Sequence, residues 1–314
     1  MKPRVVFMGT PEFAVPSLEA IVDLGYEVLV VTQPDRPVGR KRVLTPSPVK
    51  QRALELALPV MQPERVRDEA SVEALRSFAP DLMVTAAYGQ ILPKRVLAIA
   101  RVGAVNVHAS LLPRWRGAAP IHRAIMAGDK QTGVTLMEMV QALDAGPMIE
   151  ARAIPIQPTD TMGTLHDKLA KLGAEICRDV LPLYLAGERT ATPQDEDQVT
   201  YANKIEREDE LLQWTASAVE VERHVRALSP SPGATAVLAD GQAMKVWKAA
   251  LVSDTPSTDV GVGTKTSRGL LVRCGEGALL LEEVQPAGKR RMAARDWLAG
   301  VHGETVVFQK GRHE

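Results

Sequence analysis

Cysteine is scarce in this chain, and neither acidic nor basic residues are in excess. Two cysteines, Cys177 and Cys274, stand far apart in 314 residues, and neither belongs to a CxxC pair or lies near clustered histidines. A disulfide framework and a structural zinc site are therefore not expected, and we predict that no metal is bound. Such cysteine usage is typical of a reducing compartment, so we expect a cytoplasmic protein.

The formal net charge is zero, and aromatic residues make up only 4% of the chain. A balanced charge excludes a globally basic surface, so contact with a nucleic acid would need a local cluster of cations. No apolar run reaches the roughly 20 residues of a membrane-spanning helix, and the run before Gly9 is too short for a signal peptide. We therefore predict no membrane contact.

The glycine pattern of a dinucleotide site is also missing. A GxGxxG motif after the first strand would let the backbone approach a pyrophosphate, but only Gly9 is present and Pro11 interrupts the turn. We expect no nicotinamide cofactor, which counts against a dehydrogenase.

Short apolar runs alternate with helical patterns in the first half of the chain, and this alternation predicts an α/β fold with a mostly parallel sheet covered by helices. The predicted strands are residues 4–8, 27–32, 81–86, 104–108, 132–139 and 148–156. The predicted helices cover residues 12–24, 120–128 and 161–185, with another beginning at Ser47-Pro48.

The character of the sequence changes after residue 186, where apolar residues become sparse. We predict a first domain at residues 1–189, a linker at 190–209 and a second domain at 210–314. The second domain has one helical pattern at 216–228, then short β-like runs at 234–238, 244–251, 270–273 and 278–284. Short strands at this spacing predict a small β-barrel.

Two polar side chains, Asn106 and His108, fall at the end of a predicted strand. Because side chains alternate along a strand, both lie on one face, roughly 7 Å apart. An amide suits the stabilisation of an oxyanion, and an imidazole suits proton transfer. Asp144 follows in the segment Ala-Leu-Asp-Ala-Gly-Pro, where we expect Gly146 to allow an unusual backbone that turns the carboxylate toward the imidazole. A structural histidine and a simple turn aspartate remain the alternatives.

These segments resemble a known family. Asn-x-His-x-Ser-Leu-Leu-Pro-x-x-Arg-Gly from Asn106, followed by Leu-Asp-x-Gly around Asp144, is similar to the 10-formyltetrahydrofolate-dependent formyltransferases. The resemblance implies a Rossmann-like formyltransferase domain followed by a small OB-like barrel, with 10-formyltetrahydrofolate as co-substrate. It also implies roles: Asn106 donates to the formyl oxygen, His108 donates there or moves protons, and Asp144 orients the imidazole or accepts the amine proton.

Three further segments, at residues 33–42, 199–205 and 285–292, resemble the members of this family that act on methionyl initiator tRNA. Such a partner implies tRNA contacts from basic residues, namely Arg36, Arg40, Lys41, Arg42, Lys204, Lys245, Lys248, Lys289, Arg290 and Arg291. The folate contacts implied by the resemblance are Ser110, Leu111, Leu112 and Pro113 in one turn and Tyr88, Gly89, Gln90, Ile91 and Leu92 in another loop. We expect a monomer whose 33–42 segment is a loop, mobile in the absence of RNA.

The chain departs from the family pattern near the carboxylate. Val140 and Ala142 stand where an Asp and a Gly are usual, and Ala109 stands where Gly is common. We expect Ala142 to restrict the backbone conformations open to the loop that carries Asp144.

Two other functions stay open at this point. A formyltransferase acting on a small amine, such as glycinamide ribonucleotide or an amino sugar nucleotide, would use the same three polar residues. It would need neither the basic 33–42 segment nor a barrel. A non-catalytic RNA-binding protein would need none of the three polar residues Asn106, His108 and Asp144.

Overall fold

The computed structural model describes residues 2–39 and 41–311, so Arg40 lies outside the described residues. The chain divides into two compact units. The first comprises Met1–Pro120, Gln131–Pro155 and His166–Ala202, and the second comprises Ile121–Lys130, Ile156–Leu165 and Asn203–Glu314. Within the described ranges, no helix combines the length and apolar character needed to cross a membrane.

A seven-stranded sheet forms the centre of the first unit. The strands of this part of the chain are β1 (Arg4–Gly9), β2 (Glu27–Val31), β3 (Arg36–Val38), β4 (Val43–Thr45), β5 (Val60–Met61), β6 (Leu82–Ala86), β7 (Gly103–His108), β8 (Gln131–Glu138) and β9 (Met148–Pro155). The sheet order is β5-β2-β1-β6-β7-β8-β9. The strands from β5 to β7 are parallel and β1 and β6 are almost wholly buried, as expected for a sheet covered on both faces. The predicted α/β fold with a mostly parallel sheet is confirmed.

The helices begin and end at recognisable sequence signals. They are α1 (Val15–Asp23), α2 (Pro48–Glu55), α3 (Glu69–Phe78), α4 (Lys94–Leu97), α5 (Pro120–Ala127) and α6 (Met162–Leu185). Ser47 caps α2, since its hydroxyl accepts from the backbone N–H of Lys50 at 3.1 Å, and Pro48 occupies the first turn. Gly128, with φ of 74°, follows the end of α5, where a left-handed glycine commonly terminates a helix.

The last two strands of this sheet run antiparallel to their neighbours. β8 pairs with β7 so that Val105 faces Glu138 and His108 faces Thr135, and β9 pairs antiparallel with β8. The carboxyl end of β8 therefore lies beside the beginning of β7. A side chain in the following loop must reach along the length of β7 to approach His108.

Residues 33–42 contain a β-strand rather than only a loop, which corrects the sequence interpretation. β3 and β4 form a separate antiparallel hairpin in which Arg36 faces Thr45 and Pro37 faces Leu44. The side chains of Val43 and Leu44 are 58% and 65% exposed. The segment is too short and too rich in proline and glycine for its β-structure to show in the apolar pattern.

The second unit contains an antiparallel barrel. Its strands are β10 (Ala234–Val237), β11 (Ala243–Val252), β12 (Val262–Lys265), β13 (Leu270–Arg273), β14 (Ala278–Pro286), β15 (Met292–Ala293) and β16 (Thr305–Val307), and its helices α7 (Ala218–Ala227) and α8 (Ala294–Leu298) pack with them. The strand order is β10-β11-β14-β13-β12-β16. The sheet closes on itself, because the Ala239 N–H donates to the Val307 carbonyl and Gln309 donates to Val237. Trp214 and Phe308 lie in the core that this closure encloses.

The division between the two units falls inside the predicted linker at 190–209. The first unit extends to Ala202, and the second resumes at Asn203. The assignment of separate tasks to the two units remains a prediction.

Candidate active site

The polar strand-end residues are held by neighbours in the sheet. Asn106 lies on β7 in register with Thr85 of β6, and the Thr85 hydroxyl donates to Asn106 Oδ1 at 2.7 Å. Among the described residues, none accepts a hydrogen bond from Asn106 Nδ2. The amide nitrogen therefore retains its donor capacity.

His108, at the end of β7, is 6% exposed, and its two ring nitrogens meet different partners. Nε2 lies 2.9 Å from the carbonyl oxygen of Trp115. Because a carbonyl only accepts, Nε2 must carry a proton. Nδ1 lies 3.7 Å from Asp144 Oδ2. In the neutral imidazole, the nitrogen facing the carboxylate is therefore the basic one.

Asp144 adopts a left-handed backbone with φ of 46°, and its Oδ2 also accepts from the Gly117 N–H at 2.8 Å. The prediction that Gly146 supplies the unusual backbone is wrong, because the positive φ falls on Asp144 itself. Gly146 serves another purpose: a Cβ there would lie 1.8 Å from the Glu138 carbonyl oxygen. Only glycine permits this close approach, which returns the loop to β9.

Neither Val140 nor Ala142, the two departures from the family pattern in this loop, adopts the left-handed backbone that favours glycine. Ala142 is exposed and its φ is not positive, and the expectation that it restricts the conformations of the loop stays a prediction. Val140 is 42% exposed and Leu143 is 61% exposed. The loop thus presents apolar side chains to solvent.

Thr135 of β8 pins the turn that follows β7. Its hydroxyl donates to the Ser110 carbonyl at 2.7 Å and accepts from the Leu112 N–H at 3.1 Å. Ser110 is fully buried, and its own hydroxyl donates to the Arg114 carbonyl. Leu112 is buried, and Leu111 and Pro113 are half-buried. A folate contact from this turn remains a prediction, but the hydroxyl and the carbonyl of Ser110 already have partners within the protein.

The loop after β6 combines buried and exposed residues. Tyr88 is buried, its hydroxyl has no partner among the described residues, and burial raises its pKa to about 12. Gly89 has φ of 89°, and Gln90 is fixed by hydrogen bonds to backbone groups of Val66 and Pro63. Leu92 is buried, whereas Ile91 is 90% exposed. Ile91 is thus the member of this loop most accessible to a ligand.

The basic residues of the hairpin are open to solvent. The side chain of Arg36, at the start of β3, is 63% exposed and lies 3.7 Å from Glu64. Such an exposed ion pair contributes little to stability. Lys41 and Arg42 are exposed, and Arg42 has φ of 49°. Arg40 cannot be placed, since it lies outside the described residues.

The basic residues of the second unit differ in availability. Lys245 is bound by Glu210 at 2.6 Å and by the Gly233 carbonyl at 2.8 Å. The others are exposed. Lys204, Lys248 and Arg291 face Glu206, Glu282 and Glu283, and Lys289 and Arg290 have no acidic partner within 4 Å among the described residues. Lys289 and Arg290 are therefore the least neutralised cations of this set.

Sequence reasoning missed several residues that hold the site together. Thr85 and Thr135 support it from neighbouring strands, and Arg116, Gln194 and Thr200 support it from outside the sheet. A hydrogen bond from Arg116 keeps the pKa of the Glu196 carboxyl below its usual value. Gln194 and Thr200 had no distinctive signal because they lie in a polar stretch. In the described residues, no group of three or more side chains has the composition of a metal site.

An amide donor beside an imidazole–carboxylate pair can stabilise charge on a carbonyl oxygen while a proton moves. At the strand ends of an α/β unit, this arrangement is suited to the transfer of an acyl group. Comparison with known families agrees: the formyl transferase family matches residues 3–181, and the formyl transferase C-terminal domain matches residues 204–302. The chain belongs to the formyl transferase family.

Curated relatives match along nearly the whole chain. The methionyl-tRNA formyltransferase of Bacillus subtilis (strain 168) is 48% identical over 304 residues, covering 96% of each chain. That of Methylococcus capsulatus (strain ATCC 33009 / NCIMB 11132 / Bath) is 51% identical over 296 residues, covering 94% of this chain and 96% of the relative.

Solved structures share the fold at low sequence identity. WlaRD, a sugar 3N-formyl transferase crystallised with dTDP and 5-N-formyl-THF, has a TM-score of 0.69 and 17% identity, covering 92% of this chain and 100% of its own. HypX from Aquifex aeolicus, in complex with tetrahydrofolic acid, has a TM-score of 0.65 and 18% identity, covering 98% of this chain and 51% of its own. At these identities the likeness supports the fold alone.

Proposed function

We propose that this chain transfers the formyl group of 10-formyltetrahydrofolate to the α-amino group of methionyl initiator tRNA, as a cytoplasmic monomer serving translation initiation. One observation carries the proposal: His108 and Asp144 meet at 3.7 Å in a chain that matches methionyl-tRNA formyltransferases over 96% of its length. The pair supports the reaction, and the extent of the match supports the acceptor.

Asn106 stabilises the charge that develops on the formyl oxygen. Thr85 engages the amide oxygen, so the Nδ2 group is left to donate to the substrate. A donor aimed at an oxyanion typically contributes about 100-fold to 1,000-fold in rate.

His108 moves the proton. The attacking amine must lose a proton as its nitrogen bonds to the formyl carbon, and Nδ1 of the neutral imidazole can accept it. The resulting imidazolium lies against the Asp144 carboxylate, which stabilises the charge. His108 can then deliver this proton to the departing nitrogen as the carbon–nitrogen bond to the donor breaks.

Folate supplies the formyl group on its N10 nitrogen. The residues present suit such a ligand: Ile91, Val140 and Leu143 leave apolar side chains exposed in the loops that follow β6 and β8. Exposed apolar side chains beside hydrogen-bonding groups are typical of a site for a flat ring with polar edges. We assign the folate site to the loops at 88–92 and 110–113. In the second loop, we expect backbone groups to make more of the hydrogen bonds to folate than the buried Ser110 hydroxyl does.

The tRNA contacts come from two sets of exposed cations. The first is the β3–β4 hairpin with Arg36, Lys41 and Arg42, and the second is the turn with Lys289, Arg290 and Arg291. Such residues contact phosphates, which positions the nucleic acid without reading its bases. The exposed side chains of Val43 and Leu44 add an apolar surface to the hairpin.

An acceptor competition assay tests the proposal. The purified chain receives 10-formyltetrahydrofolate with methionyl initiator tRNA, methionyl elongator tRNA, free methionine or an amino sugar nucleotide. We expect rapid formylation of methionyl initiator tRNA and no measurable transfer to free methionine or to the sugar. Faster transfer to the amino sugar would replace this function with that of a small-amine formyltransferase.

A further inference from the structure

The segment from Thr192 to Ala202, all of which the sequence placed in a linker, contacts the site residues of the first unit. We name residues 192–202 the strap. It begins with paired backbone hydrogen bonds between Thr192 and Met148, both at 2.8 Å. It ends with the Ala202 N–H donating to the Arg116 carbonyl at 2.7 Å and the Ala202 carbonyl accepting from Ala119 at 3.1 Å.

Gln194 joins the strap to the loop that carries Asp144. This side chain is 8% exposed, and its Nε2 donates to the carbonyl oxygens of Asp144 and Gly146, both at 2.8 Å. Its Oε1 accepts from Arg116 Nε at 3.0 Å. One amide thus fixes the carbonyl of Asp144, which has the left-handed backbone, and the carbonyl of Gly146 two residues further on.

Arg116 is buried and ties the same strap to the turn after His108. Its guanidinium reaches Glu196 at 2.8 Å in addition to Gln194. Gly117, the next residue, donates its N–H to the Asp144 carboxylate. A side chain at position 117 would collide with the strap, since a Cβ there would lie 2.7 Å from the Ala202 carbonyl. The turn, the strap and the carboxylate therefore form one connected set.

Thr200 acts on the other side of the imidazole. Its hydroxyl accepts from the Trp115 N–H at 2.9 Å, and its carbonyl accepts from the Arg116 N–H at 2.9 Å. These bonds hold Trp115, whose φ is 66°, with its carbonyl facing His108 Nε2. Since that carbonyl decides which ring nitrogen carries the proton, Thr200 sets the tautomer of His108.

We propose that the strap is a positioning element of the active site, with Gln194 placing the Asp144 carboxylate and Thr200 fixing His108 as the Nε2–H tautomer. The kinetic part of this inference rests on the proposed function. The tautomer does not, because it can be observed without turnover.

The test combines kinetics with imidazole NMR. Thr200→Val removes the hydroxyl acceptor at nearly constant volume, Thr200→Ser keeps it, and Gln194→Glu removes the amide donor. Thr190→Val and Gln131→Glu, at exposed positions outside the strap, serve as matched controls. Nitrogen shifts of ¹⁵N-histidine, with His108 assigned by substitution, report the tautomer.

We expect Thr200→Val and Gln194→Glu to lower kcat about 10-fold to 100-fold, with the KM values for folate and tRNA nearly unchanged. Thr200→Ser and both controls should stay near wild type. The wild-type spectrum should show His108 protonated on Nε2 alone, and Thr200→Val should show a mixture of tautomers.

A lower melting temperature without change in kcat or in the His108 spectrum would overturn the proposal and leave the strap purely structural. Should Thr200→Val fail to fold, the wild-type spectrum still decides, since an Nδ1–H tautomer contradicts the proposal by itself. If no acceptor is formylated, the proposed function fails while the spectrum still tests the strap.

Discussion

At the residue scale, the chemistry depends on two kinds of side chain. Some are neighbours because of their spacing in the sequence, and others come together only in the folded structure. Asn106 and His108 could be paired from the sequence because a strand places alternate side chains on one face. Their contact with Asp144 could not, because β8 is antiparallel to β7 and the loop that carries the carboxylate starts beside the opposite end of β7 from His108. Gln194 was missed for a related reason: its hydrogen bonds reach residues some 50 positions away.

Asn106→Ala tests the assignment of the oxyanion donor. Removing the amide should lower the single-turnover rate of formyl transfer about 100-fold to 1,000-fold, because the developing charge loses its donor. Thr85→Val, which removes the hydroxyl that holds the amide oxygen but leaves the amide donor in place, should cause a smaller loss. Wild-type turnover by a folded Asn106→Ala variant would refute the assignment.

The ion pair of Glu196 with Arg116 predicts a pH-dependent stability. Because Arg116 keeps the folded-state pKa of Glu196 below its usual value, the pair stabilises the protein above that usual value. The contribution is lost as the pH falls through the lowered folded-state value. Glu196→Gln should therefore be less stable than wild type at pH 7, with the difference vanishing in acid, as measured by urea unfolding at each pH.

The exposed Glu188→Gln serves as the control for this titration and should track wild type throughout. A stability gap for Glu196→Gln that is constant between neutral and acid pH would show that the ion pair is not its source.

At the scale of elements, long segments could be predicted and short ones could not. The helix predicted at residues 161–185 is α6 (Met162–Leu185), since its apolar positions repeat with helical period over six turns. Strands β3, β5 and β15 have two or three residues each, which is too few for a period to be visible. The antiparallel direction of β8 was also hidden, because strand direction depends on the connections and not on composition.

Gly146→Ala tests the return of the Asp144 loop to β9. A Cβ 1.8 Å from the Glu138 carbonyl forces the backbone apart, so we expect a loss of about 1–3 kcal/mol in unfolding free energy together with lower activity. Gly300→Ala is the control, because its Cβ would find its nearest neighbour at 3.8 Å. Equal stability of both variants and of wild type would contradict the packing described for the loop.

The β3–β4 hairpin makes a prediction about salt. If Lys41 and Arg42 contact phosphates, the double variant Lys41→Glu/Arg42→Glu should raise the KM for methionyl-tRNA about 10-fold or more and flatten its dependence on KCl. The KM for folate should stay unchanged. Lys171→Glu, at an exposed position on α6, should leave the KM values for methionyl-tRNA and for folate as in wild type. An unchanged KM for tRNA in the hairpin variant would remove the hairpin from the proposed contact surface.

At the scale of the whole molecule, each unit has its own core, and the sequence predicted both architectures. A mostly parallel sheet follows from the alternation of strands and helices, and a barrel follows from short strands separated by turns. The sequence did not predict that the first unit extends to Ala202, because the polar stretch before that residue resembles a linker in composition. Its structural importance lies in hydrogen bonds, which leave no apolar pattern.

The central claim is that Asn106, His108 and Asp144 transfer a formyl group to methionyl-tRNA. The most direct test is single-turnover transfer from 10-formyltetrahydrofolate by wild type and Asp144→Asn, with binding of each substrate measured separately. We predict fast transfer by wild type and at least about 100-fold slower transfer by Asp144→Asn, with both substrates still bound. Equal transfer rates for the two proteins would contradict the account.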